Sequence, residues 1–462
     1  MAGKTADLLW GPWTLALIAV VAVTFTLRTG FFQFIGFGTI MRNTLGKMWD
    51  KGSGKGGMSP FQAATTALAS TVGMGNVAGV ATAIAVGGPG AIFWMWLFAL
   101  LGMISKVVEV TLAVHYRNVN PDGTTLGGPM YYVEKGLGMT WLAKLISFGL
   151  FVNAILAAGL LQPHTVGRAF LSSYGIDPYV TCGILAVVTG VTVIGGVKRI
   201  GKVCETMVPF MSIVYIVAAV VLFAVNAKAI PHVFGLIFSC AFAPAPAMGG
   251  FAGAAVAAAI QKGVSRGMLS NEAGLGTAPM AHATATTEHP FEQGMWGAFE
   301  VFFDTIVICT VTAFAILSTG AIESGTSGVE LTLRAFGAVF PPALAQGLIS
   351  FIILFFCLST QIGFYIYYET ATVYLFGRRS MSVMKWVYLL PGIIFAGVAN
   401  VDRLWVFADV ATGLCAIPNL IAIMLLGGVF MALMRDWKSG ERKYATAIVD
   451  EKRTYVSNRS RG

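Results

Sequence analysis

The sequence predicts an all-α polytopic membrane protein of about eleven transmembrane helices, arranged as a five-plus-five inverted repeat after one extra helix. Three observations lead there. The 462 residues are 56% hydrophobic and only 11% charged, whereas soluble domains average about 25% charged. Apolar runs long enough to cross a bilayer recur along the chain. Two of these runs, and only two, are heavily interrupted by glycine or proline.

Hydropathy sets the spans at 11–34, 60–86, 90–116, 141–162, 178–196, 204–225, 231–261, 293–318, 343–376, 384–400 and 404–434. The first has a lysine, Lys4, ahead of it, as a secretory signal does. It runs on through "TGFFQFIGFG" without a small-residue cleavage site, and so reads as a helix. The second is interrupted by "STVGMGNVAG", 70–79. Glycine packing faces need small residues on one side, but Ser70, Thr71, Gly73, Gly75 and Asn76 go most of the way round a turn, which predicts an unwound segment. The third carries Lys106 and Glu109, one turn apart, a predicted structural pair. The seventh is broken by Pro244, Pro246 and Gly249–Gly250. The eighth holds Glu300 and Asp304 at helical spacing, open to proton relay, cation binding or plain burial. The ninth has a polar patch, "FFCLSTQIG", 355–363, whose hydroxyls would ordinarily bond back to the preceding turn.

Five spans run from each interruption to the end of its half. Five is odd, so the second half enters from the opposite face, which is the arithmetic of an inverted repeat. The divisions are 1–58 for the extra helix and its cytoplasmic connection, 59–230 and 231–434 for the repeats, and 435–462 for a basic cytoplasmic tail.

The net charge of +9 is distributed by topology. With the 35–59 connection cytoplasmic, 23 Lys and Arg residues fall on that side and five on the other, placing the N-terminus outside and the C-terminus inside. The basic balance thus signals orientation and contact with the lipid surface rather than nucleic acid. Six scattered cysteines offer neither a metal site nor a disulfide framework. His282, Glu288 and His289 fit no standard zinc spacing, and Asn271 and Glu272 read as braces of an inner gate.

An unwound segment frees backbone groups that lipid cannot satisfy, at several kcal/mol each. Freed carbonyls suit a hard monovalent cation, and amides at the start of a half-helix suit a carboxylate. No Arg, Lys, Asp or Glu lies between residues 56 and 105, so a bound anion would be balanced by dipoles and a cation. The interruption at 70–79 therefore points to a cation and a carboxylate held side by side.

Three stretches carry a resemblance. "GGPGAIFWMWLFALLG" at 87–102, "RGMLSNEAGLGTAPMAHATATTEHPFEQG" at 266–294 and "GMGNVAGVATA" at 73–83 resemble the sodium:alanine (alanine/glycine:cation) symporter family of the amino acid-polyamine-organocation superfamily, over roughly residues 60–380. The resemblance implies a leucine-transporter-type (LeuT-type) fold and uptake of alanine, glycine or serine with sodium as co-substrate, in a bacterial inner membrane. "TVGMGN" is similar to the "AVGLGN" of neurotransmitter:sodium symporters, which meets the substrate carboxylate and two sodium sites. Carried over, the carbonyls of Ala69 and Val72 join Ser359 and Thr360 around sodium. The amides of Gly73 and Gly75 hold the carboxylate, with Thr71 and Asn76 beside substrate or a second cation. Gln162 survives from a pocket pattern whose two asparagines are missing here, Pro163–His164 intruding. Phe251, after Gly249–Gly250, would wall the substrate side chain.

No cofactor is implied, and no GxxxxGK[ST] phosphate loop is present. A proton-coupled carrier on the same fold is the alternative. A channel would want a continuous polar lining or charged rings, and an enzyme would want converging nucleophile and base; the sequence displays neither.

Overall fold

The computed structural model describes residues 9–49, 57–120, 123–243, 256–399 and 401–440. The Gly249, Gly250 and Phe251 interruption lies outside the described residues. A chain that must satisfy its backbone without water resolves into helices. They are α1 (Pro12–Arg28), α2 (Pro60–Thr71), α3 (Gly75–Gly87), α4 (Gly90–His115), α5 (Thr140–Tyr174), α6 (Pro178–Ile194), α7 (Gly196–Val225), α8 (Ile230–Phe242), α9 (Val256–Asn271), α10 (Pro279–His282), α11 (Pro290–Ser318), α12 (Gly328–Gly337), α13 (Pro342–Phe376), α14 (Met381–Leu389), α15 (Asp402–Leu425) and α16 (Gly427–Ser439). A short antiparallel hairpin pairs Asn118–Val119 with Thr125–Leu126.

Among the described residues, α4, α5, α7, α11, α13 and Leu404–Leu425 of α15 are long and apolar enough to cross a bilayer. The bent pair α2–α3 makes a seventh, and α1, α6 and Ala227–Phe242 are shorter apolar helices. Of the most apolar window of α4, 78% is buried, against 39% for α7, so α4 is interior and α7 faces lipid. Small residues let its neighbours close on it: a Cβ at Gly267 of α9 would sit 3.0 Å from Met95 Cγ, and one at Gly297 of α11 3.0 Å from Lys106 Cγ.

The entry to α2 is fixed locally. Ser59 Oγ accepts the Gln62 amide and Gln62 Oε1 accepts the Ser59 amide, both at 3.1 Å, with Pro60 in the first turn. Just ahead of that cap, the Met58 amide donates to the Thr284 carbonyl at 3.2 Å and the Thr286 amide to the Met58 carbonyl at 2.8 Å. The chain leading into the first broken helix is thus tied to the 284–286 segment.

Two features differ from the sequence reading. The sequence reading places no interruption within residues 266–294, yet Ser270 through Ala285 are buried without exception, and α9 and α10 flank a second interruption there. The polar residues that lower the hydropathy of this stretch are paired inside the protein, so they do not force it into water. Nor do Lys106 and Glu109 bond to one another: Lys106 Nζ pairs with Glu300 at 3.4 Å, while Glu109 accepts backbone amides.

Candidate functional site

The "TVGMGN" stretch is an interruption: α2 and α3 are bent by 50° across residues 72–74. Val72 leaves the helix at φ −75°, ψ 93°. The Gly73 amide, which in a continuous helix would donate to the Ala69 carbonyl, donates to Asn76 Oδ1 at 2.8 Å. The Ala69 carbonyl thereby loses its helical donor. Beyond the break the chain restarts with the π-helical turn Gly75–Gly79. Such turns recur where helices carry function.

Asn76 is the hub. It is fully buried. Its Nδ2 donates to Asp304 Oδ1 at 2.7 Å and to the Asp304 carbonyl at 3.2 Å. Its own carbonyl accepts Thr312 Oγ1–H at 2.7 Å. Asp304 lies on a second π-helical segment, Phe302–Cys309 within α11, and is also fully buried. Its other oxygen accepts hydroxyls from Ser270 and Thr305, each at 2.9 Å. Among the described residues no Lys, Arg or His forms an ion pair with Asp304. A buried carboxylate surrounded only by neutral donors is a costly arrangement, of the kind that a proton or a cation relieves.

The ninth-span hydroxyls reach the same place from α13. Thr360 Oγ1 is 3.5 Å from the Ser70 carbonyl, and a Cβ on Gly73 would approach that same hydroxyl to 2.5 Å. Ser359 Oγ donates to the Phe356 carbonyl at 2.9 Å, the ordinary back-bond. Thr71 likewise bonds back to the carbonyls of Ala67 and Leu68, both at 3.3 Å. Ala69, Thr71, Val72, Gly73, Asn76, Ser359 and Thr360 are all buried, and Thr360 lies against the break.

Gly75 faces α9: a Cβ there would lie 3.4 Å from Ser270 Cα, ordinary contact. Gln162 belongs to α5. It follows a third π-helical segment, Ala154–Leu160, in a part of α5 that packs on α6 and α13. Its Oε1 is buried without a hydrogen-bond partner among the described residues. The intruding His164 bonds to the Val398 carbonyl at 2.8 Å. The break packs on α9, α11 and α12, and Thr360 brings α13 against it.

The second interruption, 272–278 between α9 and α10, is the feature that sequence reasoning missed. Glu272, Gly274 and Gly276 there have φ of 55°, 87° and 79°, the left-handed region that only glycine enters freely. Glu272 accepts hydrogen bonds from Thr277 at 2.7 Å and Tyr367 at 3.3 Å. The signal was available: "NEAGLG" repeats the closely spaced glycines and side-chain amide of "GMGN". Through Ser270 the end of α9 meets both Gly75 and Asp304, so the two interruptions adjoin.

The pattern of the sodium:alanine symporter family matches residues 1–451. The chain is 40% identical to the "Sodium/alanine symporter AgcS" of Methanococcus maripaludis, over 92% of this chain and 93% of that one. It is 40% identical to the "Uncharacterized transporter YflA" of Bacillus subtilis, covering 96% and 94%. It is 36% identical to the "Putative sodium/proton-dependent alanine carrier protein YrbD" of the same organism, covering 97% and 94%.

Proposed function

Because the chain belongs to the sodium:alanine symporter family, whose members are membrane transporters and not enzymes, we propose that it is a secondary active symporter that draws a small neutral amino acid inward on the sodium gradient. Alanine is the leading substrate, with glycine and serine as companions. One observation carries this reading: at the break the Gly73 amide turns from the Ala69 carbonyl to Asn76 while Thr360 Oγ1 stands against the same segment. Neutral oxygens from two helices then converge where a hard monovalent cation finds suitable ligands.

In this reading sodium takes the carbonyls of Ala69 and Val72 with the hydroxyls of Ser359 and Thr360. The substrate carboxylate lies at the start of α3, on the Gly75 amide and on the Gly73 amide once Asn76 releases it. Thr71, Gln162, Gly249, Gly250 and Phe251 complete the pocket in the transporting states. Two inverted five-helix repeats, 59–230 and 231–434, would rock about that site in the plasma membrane, with the N-terminus outside and the basic tail inside. The driving force suffices. A cation gains about 2.3 kcal/mol per 100 mV, and a tenfold gradient adds about 1.4 kcal/mol. Together they sustain roughly several-hundredfold accumulation of a zwitterion per ion.

Uptake by purified protein in proteoliposomes, with a panel of labelled amino acids, tests this. Alanine should accumulate under an inward sodium gradient; accumulation of no amino acid under any sodium gradient would overturn the reading. Proton coupling on the same fold is the second reading, favoured by the buried Asp304 carboxylate with neutral donors alone. An inward proton gradient driving alanine uptake without sodium, lost in Asp304→Asn, would establish it.

A further inference from the structure

Lys106 and Glu109, which this transport reading leaves unused, are both fully buried in α4. Lys106 Nζ donates to the Asn271 carbonyl at 2.9 Å, at the C-terminal end of α9, and lies 3.4 Å from Glu300 Oε1. Glu300 in turn meets His282 Nε2 at 2.9 Å, on the far side of the second interruption. Glu109 accepts the Gly274 amide at 2.9 Å on one oxygen and the Gly276 amide at 3.0 Å on the other. Asn419 of α15 donates both to Glu109 and, at 3.0 Å, to the Gly274 carbonyl, and it accepts the Tyr132 hydroxyl.

The signs of charge match the backbone they meet. A cation sits on a carbonyl at a helix C-terminus, and an anion sits on a pair of amides in the turn that follows. Side chains of the surrounding helices thus occupy the backbone groups that the second interruption frees. The first interruption differs in having no charged partner on its backbone: its freed amide is met by Asn76 from within the same break, and the Asn76 and Ser70 carbonyls by the neutral hydroxyls of Thr312 and Thr360.

We propose that Lys106 and Glu109 are positioning residues, a charged splint that holds the 272–278 interruption open without ligand and keeps Ser270 against Gly75 and Asp304. This rests on the reading of the first interruption as the transport site. It implies an asymmetry: order at 68–78 depends on ligand, and order at 270–280 does not. It also explains why two opposite charges one turn apart on α4 stay unbonded to each other. Each has a backbone partner about 165 residues away in sequence.

Amide hydrogen exchange on the purified full-length protein tests the splint, with neither ligand, with sodium alone, and with sodium plus alanine. In the wild type, protection at 68–78 should rise with ligands while protection at 270–280 stays constant. Glu109→Gln, which keeps the shape and one acceptor oxygen, should speed exchange at 270–280 about tenfold or more and raise half-saturating alanine by a similar factor. Maximal uptake should fall much less. Lys106→Met should act alike, and Lys106→Arg should restore most of the protection. If Lys106→Met does not insert, Glu109→Gln and Lys106→Arg decide the matter by exchange. Ligand-dependent protection at 270–280 in the wild type, or wild-type exchange there in Glu109→Gln, would overturn the splint. Failure of sodium and alanine to alter protection at 68–78 counts against the symport reading, and leaves the variants' effect at 270–280 to judge the splint.

Discussion

Asn76 Oδ1 accepts the Gly73 amide at 2.8 Å, while the other end of the same side chain donates to Asp304 at 2.7 Å. One amide side chain therefore joins the broken helix to the carboxylate of α11. A substrate carboxylate that takes the Gly73 amide must displace Asn76, and displacement loosens its hold on Asp304. In the proposed mechanism, substrate and ion chemistry are coupled through this one residue.

Asn76→Ala strips a partner from both the Gly73 amide and the Asp304 carboxylate. A buried group left unsatisfied costs about 1–3 kcal/mol. Half-saturating sodium for alanine uptake should rise roughly tenfold or more, read from uptake against sodium concentration at fixed alanine. An unchanged sodium curve would remove Asn76 from the coupling path.

The two ninth-span hydroxyls should differ. Thr360→Val keeps the shape that packs against Gly73 but deletes the hydroxyl 3.5 Å from the Ser70 carbonyl. It should weaken the sodium dependence of uptake without lowering the thermal midpoint in detergent. Ser359→Ala removes a hydroxyl that can satisfy itself on Phe356, so its effect should be smaller. Equal sodium curves for Thr360→Val and wild type would take the cation away from α13.

Gly75 offers a graded test. Ordinary contact with Ser270 Cα at 3.4 Å leaves room for a methyl, so Gly75→Ala should transport with modest loss. Gly75→Leu should insert normally yet bind no alanine, because its side chain fills the space between α3 and α9. Gly73→Ala should be worse than Gly75→Ala, since its Cβ would press to 2.5 Å from Thr360 Oγ1. Alanine binding measured by isothermal titration ranks the three; normal binding by Gly75→Leu would refute the carboxylate role.

The first interruption was legible in the sequence because its glycines sit in an otherwise uncharged apolar run, where nothing but unwinding accounts for them. The second was not. Glu272 and His282 depress the hydropathy of their stretch, and averaged hydropathy cannot tell a charge in water from one paired inside the protein. Tyr367, which meets Glu272, and Lys106, Glu109 and Asn419, which meet the freed backbone, all lie 95 or more residues away in sequence. Lys106 and Glu109 looked like a local pair because spacing was the only geometry available. Asp304 stood out as a buried acid, but its bond to Asn76 exists only once α11 crosses the break.

In the proposed mechanism an ion and an amino acid jointly complete the backbone at residues 69–76. The direct measurement is equilibrium binding of labelled sodium to purified protein, with and without saturating alanine. Linkage requires the effect to be reciprocal: alanine should tighten sodium binding, sodium should tighten alanine binding by the same factor, and Gly75→Leu should abolish both shifts. Sodium affinity that is the same with and without alanine would contradict it.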